Sequence, residues 1–381
     1  MEKIRQKIAC TRITDTIKEL IEIPSVTGEE GALSDYIAQR LRAMGADTVR
    51  QQTVAGNRRN VIAEICGALP GRSILLTGHM DTVEAGEGWS SDPFRAVERD
   101  GRIYGRGACD MKAGIAVILH TAEICIQERQ SLRGKVVIVL VCDEEAYSEG
   151  VLRAIEEGVQ ADFGLAAEPE YTHAVIGSCG KILIRAEARG KAAHAAEASK
   201  GINAIEEMGR FLSAMDTLHL PGAELIPPQP YTTLRVSGGS ERYSMVIPDH
   251  CEALISKHTV PGETMEDVLA ALKALARKLK LSAQFTFSVE RPFYSSFLVD
   301  RSHKEVRRLQ SIYRCITGAE LPLICSSGVS DNNHWSTKGG IPSICFGPMG
   351  GGLHEANEWV DIEKLYQVLE IYVRFLLEDE S

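Results

Sequence analysis

Between Lys135 and Cys142 the chain reads KVVIVLVC, an unbroken apolar and β-branched run behind a single lysine. A strand without polar alternation is buried on both faces, and a sheet with two buried faces is typically parallel at that point and covered by helices. The neighbouring segments supply those helices. Helical spacing runs from Asp15 to Ile23, stopped by Pro24, from Glu29 to Met44, stopped by Gly45, and from Met111 to Gln127. Short strands are expected at Asn60 to Ile65, Ser73 to Thr77 and Asp162 to Ala167. The fold class that follows is α/β, with a mixed, largely parallel sheet flanked by helices.

From about Gly180 the pattern changes. Alternating strands (Lys181 to Glu187, Tyr231 to Val236, Cys251 to His258, Gln284 to Val289) are interleaved with two helices (Ile202 to Leu218, Glu263 to Lys280). Beyond about Pro292 the first pattern resumes, with a helix from Arg301 to Ile316, strands at Leu321 to Cys325 and Pro342 to Phe346, and a closing helix from Ile362 to Leu377. Residues 180–291 are therefore read as an α+β sandwich inserted into a domain made of residues 1–179 and 292–381, with Gly180 and Pro292 as hinge candidates.

Composition narrows the partners. The 381 residues suit two domains, and the formal charge of −10, with no basic stripe, argues against nucleic acid and anionic membrane. Neither a signal-peptide stretch nor a membrane-length apolar run is present, which points to a cytoplasmic protein. Ten cysteines are scattered singly and read as small core residues of a reducing compartment.

Chemistry concentrates at strand ends. In SILLTGHMDTV a strand runs out into His79 and Asp81, which at a spacing of two face the same side. In GRGACDMKAG, Asp110 sits in a glycine-rich turn ahead of a helix. Asp143, Glu144 and Glu145 leave the most buried strand, and Glu168 ends the next one, ahead of Pro169. His354 follows in GGGLHEANE. Open α/β sheets bind ligands outside the carboxyl ends of their strands. Carboxylates gathered there repel one another and hold protons unless cations compensate them. Imidazole plus carboxylate without cysteine suits zinc, with cobalt or manganese as substitutes. Taken singly, each residue reads as a solvated loop acid or a satisfied histidine, and His120, His173, His219, His250, His303 and His334 keep that reading.

GHMDTV, GRGACDMKAG, DEEA, EPE and HEANE, in that order, resemble the di-zinc family of acetylornithine deacetylase, succinyl-diaminopimelate desuccinylase, the aminoacylases and the glutamate carboxypeptidases. The resemblance implies that Asp110 bridges two divalent metal ions, one completed by His79 and Glu168 and the other by Glu145 and His354. It implies Glu144 as general base toward a metal-bridging hydroxide, and Asp81 as the partner that orients the His79 ring. GKAAHAAEASKGINAI resembles the family segment whose histidine, here His194, reaches a second subunit's site to stabilise the oxyanion. A homodimer and a lid and dimerisation role for the inserted domain come with it. The activity implied is hydrolysis of an amide bond in a small N-acyl amino acid or peptide, by a deacylase or alternatively a dipeptidase or exopeptidase.

Three positions depart from the family pattern. Ala198 replaces a proline, Met245 stands where many members have Asn, and His258 where they commonly have Arg. The last two changes remove a polar clamp for the substrate's carboxylate or backbone, because His is no equivalent of a guanidinium. The substrate therefore either lacks that carboxylate or is held by Arg235, Arg242 or Lys257. Two rival chemistries are weak. Gly105 and Gly107 suggest a dinucleotide loop, but Asp110 occupies the third glycine's place. A thiol hydrolase built on Cys109 or Cys142 has no nominated histidine.

Overall fold

A computed structural model describes residues 2–240, 242 and 244–378 of the chain. It divides into two compact units, Met1–Gly177 with Val299–Ile324 and Ser330–Ser381, and Ser178–Leu298 with Cys325–Val329. The expected return at Pro292 falls inside a strand, Gln284–Tyr294, so the second unit extends further along the chain than its sequence pattern suggested.

In the first unit the sheet runs Thr48–Ala55, Arg58–Cys66, Arg133–Val141, Leu69–His79, Phe163–Ala166, Ser343–Cys345 and Ala174–Ser178. Parallel pairing occupies the centre, between Leu69–His79 and both its neighbours and between Phe163–Ala166 and Ser343–Cys345. The flanking pairs are antiparallel. The apolar run lies in the central strand Arg133–Val141, buried from Val136 onward. On one face Val137, Val139 and Val141 pack with Ile62 and Leu75 against Val151, Ala154 and Trp335 from the helices Glu149–Glu156 and Asp331–Thr337. The helix Ala113–Gln127 packs on the sheet as well, touching three of its strands and the closing helix Ile362–Leu377. It is apolar nearly all round, as a helix enclosed on several sides must be.

The second unit is a four-stranded antiparallel sheet, ordered Tyr231–Gly238, His250–Thr259, Gly180–Arg189, Gln284–Tyr294. The two helices Ala204–Ala214 and Met265–Lys278 cover one face, where Ile182, Ile184, Ala186 and Ile255 meet Phe211 and Leu272. The opposite face is ionic, with Arg185 pairing with Glu252 and Glu290. Period-two burial along Gly180–Arg189 records this division residue by residue.

None of the ten cysteines forms a disulfide, but the expectation that they are core residues holds only for some. Cys109, Cys125, Cys142, Cys179, Cys251 and Cys345 are buried, whereas Cys10, Cys66 and Cys315 are exposed. Cys10 follows the end of the helix Glu2–Ala9, Cys66 ends the strand Arg58–Cys66, and Cys315 lies in the last turn of the helix Lys304–Thr317, where its sulfur meets Arg374. No helix among the described residues is long and apolar enough to cross a membrane.

Candidate metal centre

Strand register brings the candidate ligands together. Thr77 pairs with Val139 on one side and Ala166 on the other, and His79 pairs with Val141. Three neighbouring parallel strands thus leave the sheet at one edge, a strand spacing of about 4.8 Å apart. His79 ends the first, Glu144 and Glu145 follow the second, and Glu168 follows the third. Asp110 comes from the turn Ala108–Lys112, whose backbone at Asp110 (φ −113, ψ 97) is not helical and which precedes the helix Ala113–Gln127. The Met111 side chain of that turn packs over Gly78. A Cβ there would stand 2.3 Å from Met111 Cε. His354 lies in a hairpin between the short strands Gly350–Gly351 and Trp359–Asp361, and the latter pairs with Arg102–Tyr104. A small second sheet therefore carries the His354 loop beside the segment leading to Asp110.

Asp110 presents one oxygen to each side. Its Oδ1 is 3.0 Å from His79 Nε2, and its Oδ2 is 3.3 Å from His354 Nε2. His79 Nε2 is 3.9 Å from Glu168 Oε2, and His354 Nε2 is 3.1 Å from Glu145 Oε1. Ligand atoms about 2.1 Å from one tetrahedral ion lie about 3.4 Å from one another. The four distances bracket that value, and two triads result, His79 with Asp110 and Glu168, and Asp110 with Glu145 and His354. A third grouping, His79 with Glu144 and Glu145, overlaps them. In the second unit Glu187, His250 and Glu252 also cluster, but there Arg189 and Arg185 already pair with the acids.

The electrostatics fit cations too. Burial pushes Glu168 up to about 8 and Glu144 well above the carboxylate range, and it raises Glu145. His354 rises to about 9 through its hydrogen bond with Asp110. Burial works against the His79 imidazolium, yet Asp110 and the charge of Glu168 hold it well above its usual value. Burial likewise opposes ionisation of Asp110, and the two rings overcome it. Without positive charge this centre collects protons; its nitrogen and oxygen donors, spaced as they are, suit two divalent ions in their place.

Asp81 acts through two different groups. The His79 ring donates from Nδ1 to the Asp81 backbone carbonyl at 2.8 Å, while the Asp81 carboxylate is 3.8 Å away. The expected bond between ring and carboxylate is therefore, in this structure, a bond between ring and carbonyl. The carboxylate instead accepts the Glu144 and Glu145 amides, each at 3.1 Å, and the Thr27 hydroxyl at 3.0 Å. It fixes the turn that presents both glutamates. A second clamp acts on the same turn. Arg58 donates to Glu30 at 2.7 Å and to Asp143 at 2.6 Å, and Asp143 holds a left-handed φ of 75 that non-glycine residues rarely adopt.

His194 belongs to the second unit, where it is exposed and its Nδ1 accepts the Ala196 amide at 3.1 Å. Of the alternative substrate anchors, Arg235 and Arg242 are exposed, but Lys257 is not available. Its ammonium is fully buried, donates to the carbonyls of Gln229 and His258, and pairs with Glu263. Sequence reasoning missed Asp331. This carboxyl is buried at the start of its helix, is pushed up to about 7 by burial, and adds negative charge around Glu144 and Glu168. An acid directly after Ser330, a capping residue, was the available signal, and it reads equally well as an ordinary helix start.

Comparison with known proteins agrees with this geometry. Residues 75–378 match the model of peptidase family M20/M25/M40. Acetylornithine deacetylase of Myxococcus xanthus is 30% identical over 380 residues, covering 94% of this chain and 95% of that protein. N-formyl-4-amino-5-aminomethyl-2-methylpyrimidine deformylase of Bacillus subtilis is 27% identical over 398 residues, covering 93% and 90%. Among solved structures, a tripeptidase from Staphylococcus aureus superposes with a TM-score of 0.79 at 23% identity, covering 96% of this chain and 97% of that one. The chain belongs to peptidase family M20/M25/M40 and is an enzyme that hydrolyses C–N bonds.

Proposed function

We propose that this enzyme removes the acyl group from a small N-acyl amino acid or peptide, using two divalent ions held by the five ligands. The observation that carries the reading is the division of Asp110, whose two oxygens each face a separate histidine and acid. One ion is assigned to His79, Asp110 and Glu168, the other to Asp110, Glu145 and His354, with zinc as the first choice and cobalt or manganese as substitutes. When bound, such a pair supplies a nucleophile at neutral pH and polarises the scissile carbonyl.

The protein's own groups do the rest. Glu144, its carboxyl raised by burial, takes the proton of the attacking water and returns it to the leaving nitrogen. The Asp81 carboxylate holds the Glu144 turn, and its carbonyl sets the His79 ring with Nδ1 protonated and Nε2 turned to the centre. His194 is assigned to the oxyanion in a homodimer, each copy serving the other's site. The edge strand Tyr231–Gly238 supports self-association, since it exposes Leu234 and Val236 together with an unpaired ladder edge. Ten cysteines without a disulfide favour a reducing compartment, and the reading places the enzyme in the cytoplasm.

A second reading concerns the substrate's acid group. Met245 and His258 supply no guanidinium or amide, and Lys257 is already engaged. The name of the Bacillus subtilis relative's substrate contains no carboxylic acid. An N-acyl amine without an α-carboxylate therefore fits this chain as a substrate class. Zinc-loaded enzyme assayed on matched N-formyl, N-acetyl and N-succinyl compounds, with and without the carboxylate, and on dipeptides decides between these. Deacylation faster than dipeptide cleavage is expected, and turnover of peptides alone removes the deacylase reading.

A further inference from the structure

The HEANE segment provides His354, but its last residue has no role in the centre described so far. Glu358 is 1% exposed, and its carboxylate accepts four hydrogen bonds from one short stretch of chain. Oε2 accepts the Gly107 amide at 2.8 Å and Arg106 Nη1 at 2.8 Å. Oε1 accepts the Cys109 amide at 2.7 Å and the Asp110 amide at 2.9 Å. The Glu358 carbonyl adds a fifth bond, from the Gly105 amide at 3.0 Å. Every donor lies within residues 105–110, the stretch that ends on the shared ligand. The amides that a dinucleotide loop would offer to a phosphate are thus taken by an internal acid, which disposes of that rival reading.

The stretch needs such a clamp. Gly107 has a φ of 78, and a Cβ there would stand 2.7 Å from Thr82 Cγ2, so the turn is reserved for glycine, the residue with the greatest backbone freedom. Asp110 itself has non-helical dihedrals inside the turn. Nothing intrinsic to these residues selects the conformation that aims Asp110 at both histidines. A carboxylate is the side chain suited to the task, because both oxygens accept only, whereas an amide turns its NH2 toward two of the four donors.

We infer that Glu358 is the positioning residue of the bridging ligand, tying the Asp110 turn to the His354 loop so that the two ligands reach their places together. The inference rests on the reading of Asp110 as the ligand shared by two ions. It predicts that one change at Glu358 weakens both ions, whereas loss of a ligand private to one ion weakens chiefly that ion.

Calorimetric titration of metal-free protein with zinc tests it, using wild type, Asp110→Asn and Glu358→Gln, with circular dichroism and melting temperature recorded for each metal-free protein. Wild type is expected to take up two ions. Glu358→Gln is expected to stay folded and to bind both about 10–100-fold more weakly, the range typical of partners that orient metal ligands. A lower melting temperature with both zinc affinities unchanged means a structural role only and overturns the inference. If Asp110→Asn binds two ions as tightly as wild type, the bridging reading fails, and the inference built on it falls with it. Should Glu358→Gln not fold, Glu358→Asp retains the charge and shortens the reach, and wild-type affinity in that variant overturns the inference equally.

Discussion

Replacing Glu144 by Gln keeps the volume and a hydrogen-bonding head group and removes one capability, that of accepting a proton. Glu144 lies outside both triads that share Asp110. Its carboxyl is raised by burial, with Asp331, Glu168 and Glu145 adding like charge around it. Positioned proton transfer contributes about 10²–10⁴-fold in rate. At about 1.4 kcal/mol per decade this is about 3 to 5.5 kcal/mol of barrier. The variant is expected to lose that factor in kcat and to keep two ions per chain. Steady-state kinetics on the best substrate, with metal content measured on the same sample, gives both quantities. Activity within about tenfold of wild type at full metal content refutes the base assignment. Loss of metal instead makes Glu144 a ligand, through the third grouping with His79 and Glu145.

Zinc uptake at pH 7 should release about three protons per chain, because Glu168 at about 8, His354 at about 9 and His79, held well above its usual value, keep theirs until a cation displaces them. Affinity then tightens as pH rises from 6 to 9, and binding heats that do not vary with the ionisation enthalpy of the buffer contradict this. Away from the centre, acid should destabilise the fold through His120 and His334, which burial depresses to about 4 and about 3. The unfolded chain protonates these residues near pH 6.5 while the fold keeps them neutral, so stability is full above that value and declines below it. Each contributes about 2 kcal/mol of loss between pH 7 and 5. Chemical denaturation at the two pH values measures the sum, and a His120→Gln variant with an undiminished slope removes His120 from the account.

What the sequence disclosed depended on how local the signal was. The run from Val136 to Cys142 and the helix from Ala113 to Gln127 announce themselves through burial on nearly every side. The edge strand Thr48–Ala55 does not, because most of its residues face solvent at least in part and its sequence, TVRQQTVA, is largely polar. The helices Glu149–Glu156 and Asp331–Thr337 were also unread. The first is short and follows three acids and an αL residue, and the second, DNNHWST, owes its start to reciprocal hydrogen bonds between Ser330 and Asn333, with no apolar stripe. At the site, residue types that bind metal were legible because each stands at a strand end or in a glycine turn. The orienting contact of Asp81 with the His79 ring was legible, but the grip of its carboxylate on the Glu144 and Glu145 amides and that of Glu358 on the Cys109 and Asp110 amides were not, because these amides lie far away in sequence and leave no mark in the choice of side chain.

The claim on which the mechanism depends is that Asp110 shares two cations between two sets of ligands. Anomalous diffraction from crystals of the zinc-loaded protein, recorded at the zinc edge, addresses it directly. Two peaks about 3.5–4 Å apart are expected, one beside His79 and Glu168 and the other beside Glu145 and His354, with an Asp110 oxygen on each. A single peak in that cleft, or zinc bound without Asp110, contradicts the account.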